Sequence, residues 1–219
     1  YRNGRDLTGR SRQAWVLDFH GLSVEELRRD FPEAYQHLAE TVREDRRAQV
    51  EKSPTADARA YLEAWWVFGK PRPDLRAGLA DLGRYIVTVE TAKHRVFQFL
   101  EGAVLADNML ICVADDDATT LAILSSKVHL AWCAASGGVL EDRPRYTKSR
   151  CFDPFPFPPR DEALRGRLRD AGEALDLHRR TVLAENPDLT LTTLYTCLEL
   201  VRAGAVLDDR SEAVKQRGL

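Results

Sequence analysis

Apolar residues follow two different periods along this chain. Near the middle three short runs read as β-strands, and long stretches on both sides keep the spacing of helices. Residues 84–90, RYIVTVE, are rich in β-branched and aromatic side chains, and residues 95–100, RVFQFL, alternate with period two. Residues 109–114, MLICVA, are apolar throughout, which predicts a strand covered on both faces and placed centrally. Residues 15–19, WVLDF, predict a fourth short strand. Among the helices, Ser23 followed by Glu26 has the form of a capping box. A helix restarting at Pro32 carries Tyr35, Leu38, Ala39 and Val42 on one face and charge on the other as far as Lys52, where Ser53-Pro54 breaks it. Residues 55–67 predict a helix with Tyr61, Leu62, Trp65 and Trp66, and residues 74–82 a shorter one. Residues 118–135 form a helical pattern on Leu121, Leu124, Val128 and Trp132, opened by Asp115-Asp116-Asp117 and closed by Ser136-Gly137-Gly138. Residues 161–183 and 190–202 predict two further helices, separated by Asn186-Pro187, and the charged remainder has the form of another helix start. The expected fold is therefore α+β: a small mixed sheet with flanking helices in residues 1–159, then a helical hairpin in residues 160–219.

The stretch between the two parts, residues 137–159, differs from both. It alternates acid and base through Glu141, Asp142, Arg143, Arg145, Lys148 and Arg150, and closes on Asp153-Pro154-Phe155-Pro156-Phe157-Pro158-Pro159. Proline supplies no amide donor and fixes φ, so neither a helix nor a central strand can run through that end. We read the stretch as an ordered loop, charged at its start and pinned by aromatic rings at its finish, and held out toward a polyanion.

Composition narrows the class of protein. The chain has 219 residues, 44% of them hydrophobic, enough for a sizeable core. A net charge of −2 excludes a uniformly basic nucleic-acid binder, so any DNA affinity must come from local patches. One such patch is the start of the chain, where Arg2, Arg5, Arg10 and Arg12 surround Asn3-Gly4, a turn signal; it reads either as phosphate contacts or as a solvated arm. Cys112, Cys133, Cys151 and Cys197 match no metal-binding spacing, and the first two and the last sit among apolar residues as core thiols. Reduced thiols and the lack of an apolar run near 18 residues point to a cytoplasmic protein with no membrane segment. Tyr1 in place of an initiator Met, and the charged last residues, lead us to expect a piece of a longer protein.

Catalytic signatures are missing. The sequence holds no Gly-x-Gly-x-x-Gly, no phosphate-binding loop, no His-Glu-x-x-His and no Gly-x-Ser-x-Gly, and no metal site is expected. Asp153-Pro154-Phe155-Pro156-Phe157 has the ingredients of the element that holds the target amine in N6-adenine methyltransferases, but not its adjacent prolines, so it is read as a wedge against the core. Asp115-Asp116-Asp117 reads as a cap, because no further ligand follows at metal spacing.

A set of ordered motifs does resemble a known family. They are Arg2-Asn3-Gly4-Arg5-Asp6-Leu7, Trp15-Val16-Leu17-Asp18, Trp65-Trp66 and Glu90-Thr91-Ala92-Lys93-His94-Arg95. They continue with Asp107-Asn108, Leu124-Ser125-Ser126-Lys127-Val128-His129 and Arg145-Tyr146-Thr147 leading to residues 151–158. Together they are similar to the target-recognition domain of the MmeI-like DNA methyltransferases, single-chain restriction–modification proteins and related phage-defence enzymes. The resemblance implies a recognition domain in residues 1–159 and the start of a helical spacer in residues 160–219. It also implies double-stranded DNA as partner, a methyltransferase domain in the same parent chain, S-adenosylmethionine (and in nuclease-bearing members Mg) as a cofactor of the parent and not of this segment, and no catalytic residue here.

The resemblance further places base reading in residues 138–143, with Glu141, Asp142 and Arg143 as the readers. The chemistry agrees: arginine forms a bidentate pair with guanine O6 and N7, and a carboxylate accepts from cytosine N4. Arg2, Arg5, Lys93, His94, Arg145, Lys148 and Arg150 are expected at the DNA backbone or as braces of the loop. A rival reading makes the chain a protein-interaction adaptor, with Trp65, Trp66 and the helical hairpin as its partner surface.

Overall fold

The computed structural model describes residues 1–140, 143–159 and 161–219. It resolves into two compact units, Tyr1–Ala14 with Ala77–Leu219, and Trp15–Arg76.

The larger unit is built on β1 (Arg84–Val89), which pairs antiparallel with β2 (Gln98–Glu101) on one side and β3 (Leu110–Val113) on the other. Register is fixed by Ile86 opposite both Phe99 and Val113. Alternation then sends β1 side chains to two cores. Tyr85 and Val87 join Leu7, Leu100 and Leu110, while Ile86 joins Phe97, Leu121, Leu124, Tyr146 and Cys151. The expectation that 109–114 is central is corrected: β3 lies at the sheet edge. Its apolar run has another cause, since Leu110 and Cys112 face one core and Ile111 and Val113 the other.

The strand expected over 95–100 is short, because residues 95–97 leave the ladder. The helix expected over 118–135 is two, α7 (Ala118–Ser125) and α8 (Lys127–Ser136). Ser126 adopts an extended ψ of 152°, and its side chain accepts from the His129 amide to cap α8. Hydroxyl competition for the backbone explains the break. Asp117 caps α7 as expected and also receives Arg165 and Arg169 from α9 (Glu162–Glu185). The Arg169 guanidinium is the first cause, with the Thr119 bonds and then Arg165 added, that holds the Asp117 carboxyl well below the usual range. The α7–α9 crossing is close. A Cβ on Gly172 of α9 would lie 2.1 Å from the Ala118 carbonyl oxygen.

The chain ends in α10 (Leu191–Arg202) and α11 (Asp209–Gly218), which close with α9 on Val182, Leu194, Cys197 and Val214. This core reaches the sheet unit through Val96 and through the buried Arg179, which donates to the Phe97 carbonyl at 2.6 Å and to the Tyr195 hydroxyl. All four cysteines are free thiols.

The smaller unit is helical: α2 (Val24–Asp30), α3 (Pro32–Glu40), α4 (Val42–Lys52) and α5 (Ala56–Glu63). The Ser23–Glu26 capping box is present. Residues 15–19 form no strand. Their β-forming side chains meet no partner ladder, and Trp15 is 97% exposed. The long helix from Pro32 is interrupted at Thr41, and α5 ends before the tryptophan pair. Arg46 holds that end, donating to the carbonyls of Tyr61, Ala64 and Val67 at 2.6, 3.0 and 2.9 Å. Trp65 is buried edge-on to Tyr35, and Trp66 Nε1 donates to the Leu22 carbonyl at 2.8 Å. Trp65 is therefore core of this unit, with Trp66 partly buried beside it, which removes Trp65 from the surface the adaptor reading requires.

Candidate nucleic-acid interface

The charged stretch expected as a loop is a β-hairpin followed by an anchor. The chain leaves α8 at Gly137, where any Cβ would lie 2.5 Å from the Cys133 carbonyl oxygen, so only glycine makes the turn. β4 (Gly138–Leu140) then pairs with β5 (Arg143–Arg145), with Leu140 opposite Arg143. Pro144 does not prevent this, because a two-stranded ribbon leaves one edge of each strand unpaired. Glu141 and Asp142, two of the expected base readers, lie outside the described residues. Val139 and Leu140 are exposed.

The base of the hairpin is tied to the end of β1. Thr91 bridges to Arg145, and the Tyr146 amide donates to the Glu90 carbonyl at 2.7 Å. Arg145 pairs with the Glu90 carboxylate at 2.6 Å. Beneath the hairpin, Tyr146 stands perpendicular to Phe97, and its hydroxyl meets His129 Nε2 at 3.2 Å. Burial, and secondarily the Arg95 charge, lower the His129 pKa to about 4, so the ring is neutral at neutral pH. Phe155 packs edge-on to His129 with centroids 4.4 Å apart, and Phe157 packs on both Phe152 and Phe155. The proline–phenylalanine run is thus a wedge, and Asp153 is paired with Lys148 at 2.8 Å. Residues 148–152 between them make a π-helical turn.

Beside the hairpin lies a groove of about 760 Å³. Arg5, Lys93 and Arg143 line it, and Val89, Val96 and Met109 make its apolar part. Arg5 arrives there because Asn3-Gly4 is a helix start and not a free turn. Asn3 caps α1 (Gly4–Thr8) in a capping box with Asp6, and buried Asp6 takes a bidentate pair from Arg12 at 3.0 and 2.9 Å. Arg12 is the first cause holding the Asp6 carboxyl far below its ordinary value. The groove's acidic member, Asp107, accepts from the Tyr1 hydroxyl. The net effect is a concave, cationic surface on a chain of nearly neutral charge, suited to a phosphate backbone.

Of the other expected residues, His94 also lines this groove, and Arg2, Arg145, Lys148 and Arg150 are not among its lining. Lys93 is exposed. His94 is buried, with Nδ1 2.9 Å from Glu199 and Nε2 2.9 Å from Thr196 Oγ1 on α10, so it braces the loop. Arg2 joins its backbone to Leu105 and Asp107. Arg145 braces through Glu90 and Lys148 through Asp153, while Arg150 is exposed and, among the described residues, makes no hydrogen bond or ion pair. Two participants were not legible in the sequence: Thr192 of α10, which lines the groove, and Arg95, which was read as the first residue of a strand. A cation leading an apolar strand was the available signal for Arg95.

Comparison with known families decides what this arrangement belongs to. The model of the MmeI target recognition domain matches residues 8–159. The chain belongs to the MmeI target-recognition-domain family. No curated protein matches it. Among solved structures it is similar to the Type IIL restriction–modification enzyme MmeI in complex with DNA, at 22% identity and a TM-score of 0.63. That likeness covers 83% of this chain and 22% of the MmeI chain, so it speaks for a shared fold. The family match includes the hairpin, Lys93 and the aromatic anchor. Arg5 precedes it, and the α9–α11 helices follow it.

Proposed function

We propose that this chain reads a short base sequence in duplex DNA for an S-adenosylmethionine-dependent adenine methyltransferase of the restriction–modification type. Hairpin β4–β5 is the reader and the groove beside it the phosphate seat. Membership of the target-recognition family supports the module's role in sequence recognition. The observation that carries the site assignment is the convergence of Arg5, Lys93 and Arg143, from three separate parts of the sequence, on one groove next to the hairpin.

Arg143 opens β5 and reaches base edges in the major groove, with guanine its natural partner. Glu141 and Asp142 join it as readers through acceptance from cytosine. Arg5 and Lys93 take backbone phosphates, and Arg150 offers a further cation. His94, Arg145 and Lys148 hold the frame, and Arg2 fixes the chain start. Residues 1–159 make the recognition module and residues 160–219 the helical spacer. S-adenosylmethionine belongs to the methyltransferase domain of the parent chain. Asp153, the carboxylate nearest to a methyltransferase motif here, is tied to Lys148 and backed by the buried Phe155.

The test uses the parent protein. Duplex binding should weaken linearly with log salt, at a slope of about −0.9 per phosphate neutralised. Arg143→Ala should relax one position of the methylated sequence by about 1–3 kcal/mol of discrimination. A methylated site unchanged in the variant would remove the hairpin as reader.

A further inference from the structure

We infer that Arg95 is a positioning residue for sequence specificity: its guanidinium sets the height and tilt of the reading hairpin against the sheet. The inference rests on the reading of β4–β5 as the base-contacting element. Arg95 lies in the loop that joins β1 and β2, and its side chain turns back to the end of β1. Nη1 donates to Thr88 Oγ1 at 3.1 Å and to the Val89 carbonyl, and Nη2 donates to the Glu90 carbonyl at 3.2 Å and to the Pro144 carbonyl at 3.0 Å. One planar group thus spans three successive residues at the end of the central strand and the middle residue of β5. The same guanidinium carbon sits 5.2 Å from the centre of the Tyr146 ring, directly after β5. A planar fork with fixed donor directions constrains distance and orientation together; an ammonium constrains only distance.

The other ties at this junction differ in kind. The Tyr146 amide to the Glu90 carbonyl and the Thr91–Arg145 bridge are backbone contacts that any residue would make. The Arg145–Glu90 pair is half exposed on its arginine side and so is open to solvent competition. Arg95 is a side-chain-specific tie of another kind: its bonds to Thr88, Val89 and Glu90 are partly buried, and from that seat it reaches the exposed Pro144 carbonyl. Arg143 stands one residue before Pro144, so a rotation of β5 about this clamp moves the reader while leaving the fold in place. A displacement near 1 Å is enough to misalign a bidentate base contact.

The experiment compares Arg95→Lys and Arg143→Ala in the full-length parent. It reads the ratio of methylation at the cognate site to methylation at sites with one base changed, with thermal unfolding of each purified protein alongside. The expected result is that R95K unfolds within a few degrees of the parent and loses at least tenfold of discrimination at the position that R143A relaxes. If R143A relaxes that position and R95K keeps full discrimination, Arg95 is merely structural and the inference is overturned. If R143A changes nothing, the hairpin reading itself fails and takes the inference with it. Should R95K unfold, Thr88→Val serves instead. It removes one acceptor of the clamp from a buried site with little change of volume, and unchanged discrimination in T88V overturns the inference equally.

Discussion

His129 ties the stability of the hairpin's foundation to pH, and the size of the effect follows from its surroundings. The ring is fully buried between Phe97, Tyr146 and Phe155, and among the described residues Nδ1 has no hydrogen-bond partner. Burial and the nearby Arg95 cation both penalise the protonated ring, lowering its pKa from 6.5 to about 4. The unfolded chain therefore takes up this proton at higher pH than the folded one, so its contribution is complete above pH ~6.5 and is lost as pH falls toward ~4. Linkage with those two values gives a loss of about 2 kcal/mol between pH 7 and pH 5. The paired carboxylates do not confuse this window. Those of Asp6 and Asp117 are held below the ordinary 3.8, so their stabilisation fades only as pH falls through and below that value. The assay is urea unfolding of the wild-type chain and of His129→Gln across pH 5 to 7. Glutamine can still bond the Tyr146 hydroxyl and does not titrate. H129Q should be less stable at pH 7, yet its pH dependence should be flatter by about 2 kcal/mol. Parallel pH curves for the two proteins would refute the view that this ring is held neutral by burial.

Three further outcomes follow from other contacts. Gly172→Ala should destabilise the chain by roughly 2 kcal/mol or more, despite alanine's better helix propensity, because its Cβ would strike the Ala118 carbonyl; denaturant titration reads this directly. Asp117→Ala removes the α7 cap and the partner of Arg165 and Arg169, and should cost about 2 kcal/mol, with Asp117→Asn recovering the cap share alone in the same titration. In the parent protein, Arg5→Ala and Lys93→Ala should each reduce the log–log salt slope of duplex binding by about 1 without changing the preferred sequence, as a fluorescence-anisotropy salt series would register.

Local chemistry determined much of this protein. The capping box at Ser23, the cap at Asp117, the β1 strand and the three C-terminal helices depend on contacts within a few residues, so the sequence declares them. The cationic residues and the proline–phenylalanine wedge were likewise legible from residue type. Pairing was not. Residues 15–19 and 109–114 have equally good strand chemistry, but a strand exists only where another offers a ladder: β3 found β1, and residues 15–19 found none. Only the tertiary structure put β3 at the edge, paired residues 138–140 with residues 143–145, and closed Arg5, Lys93 and Arg143 around one groove. The Arg95 clamp is of the same kind. Apart from the Thr88 hydroxyl its acceptors are backbone carbonyls, which carry no residue identity, so the sequence shows the donor and only the fold supplies its partners.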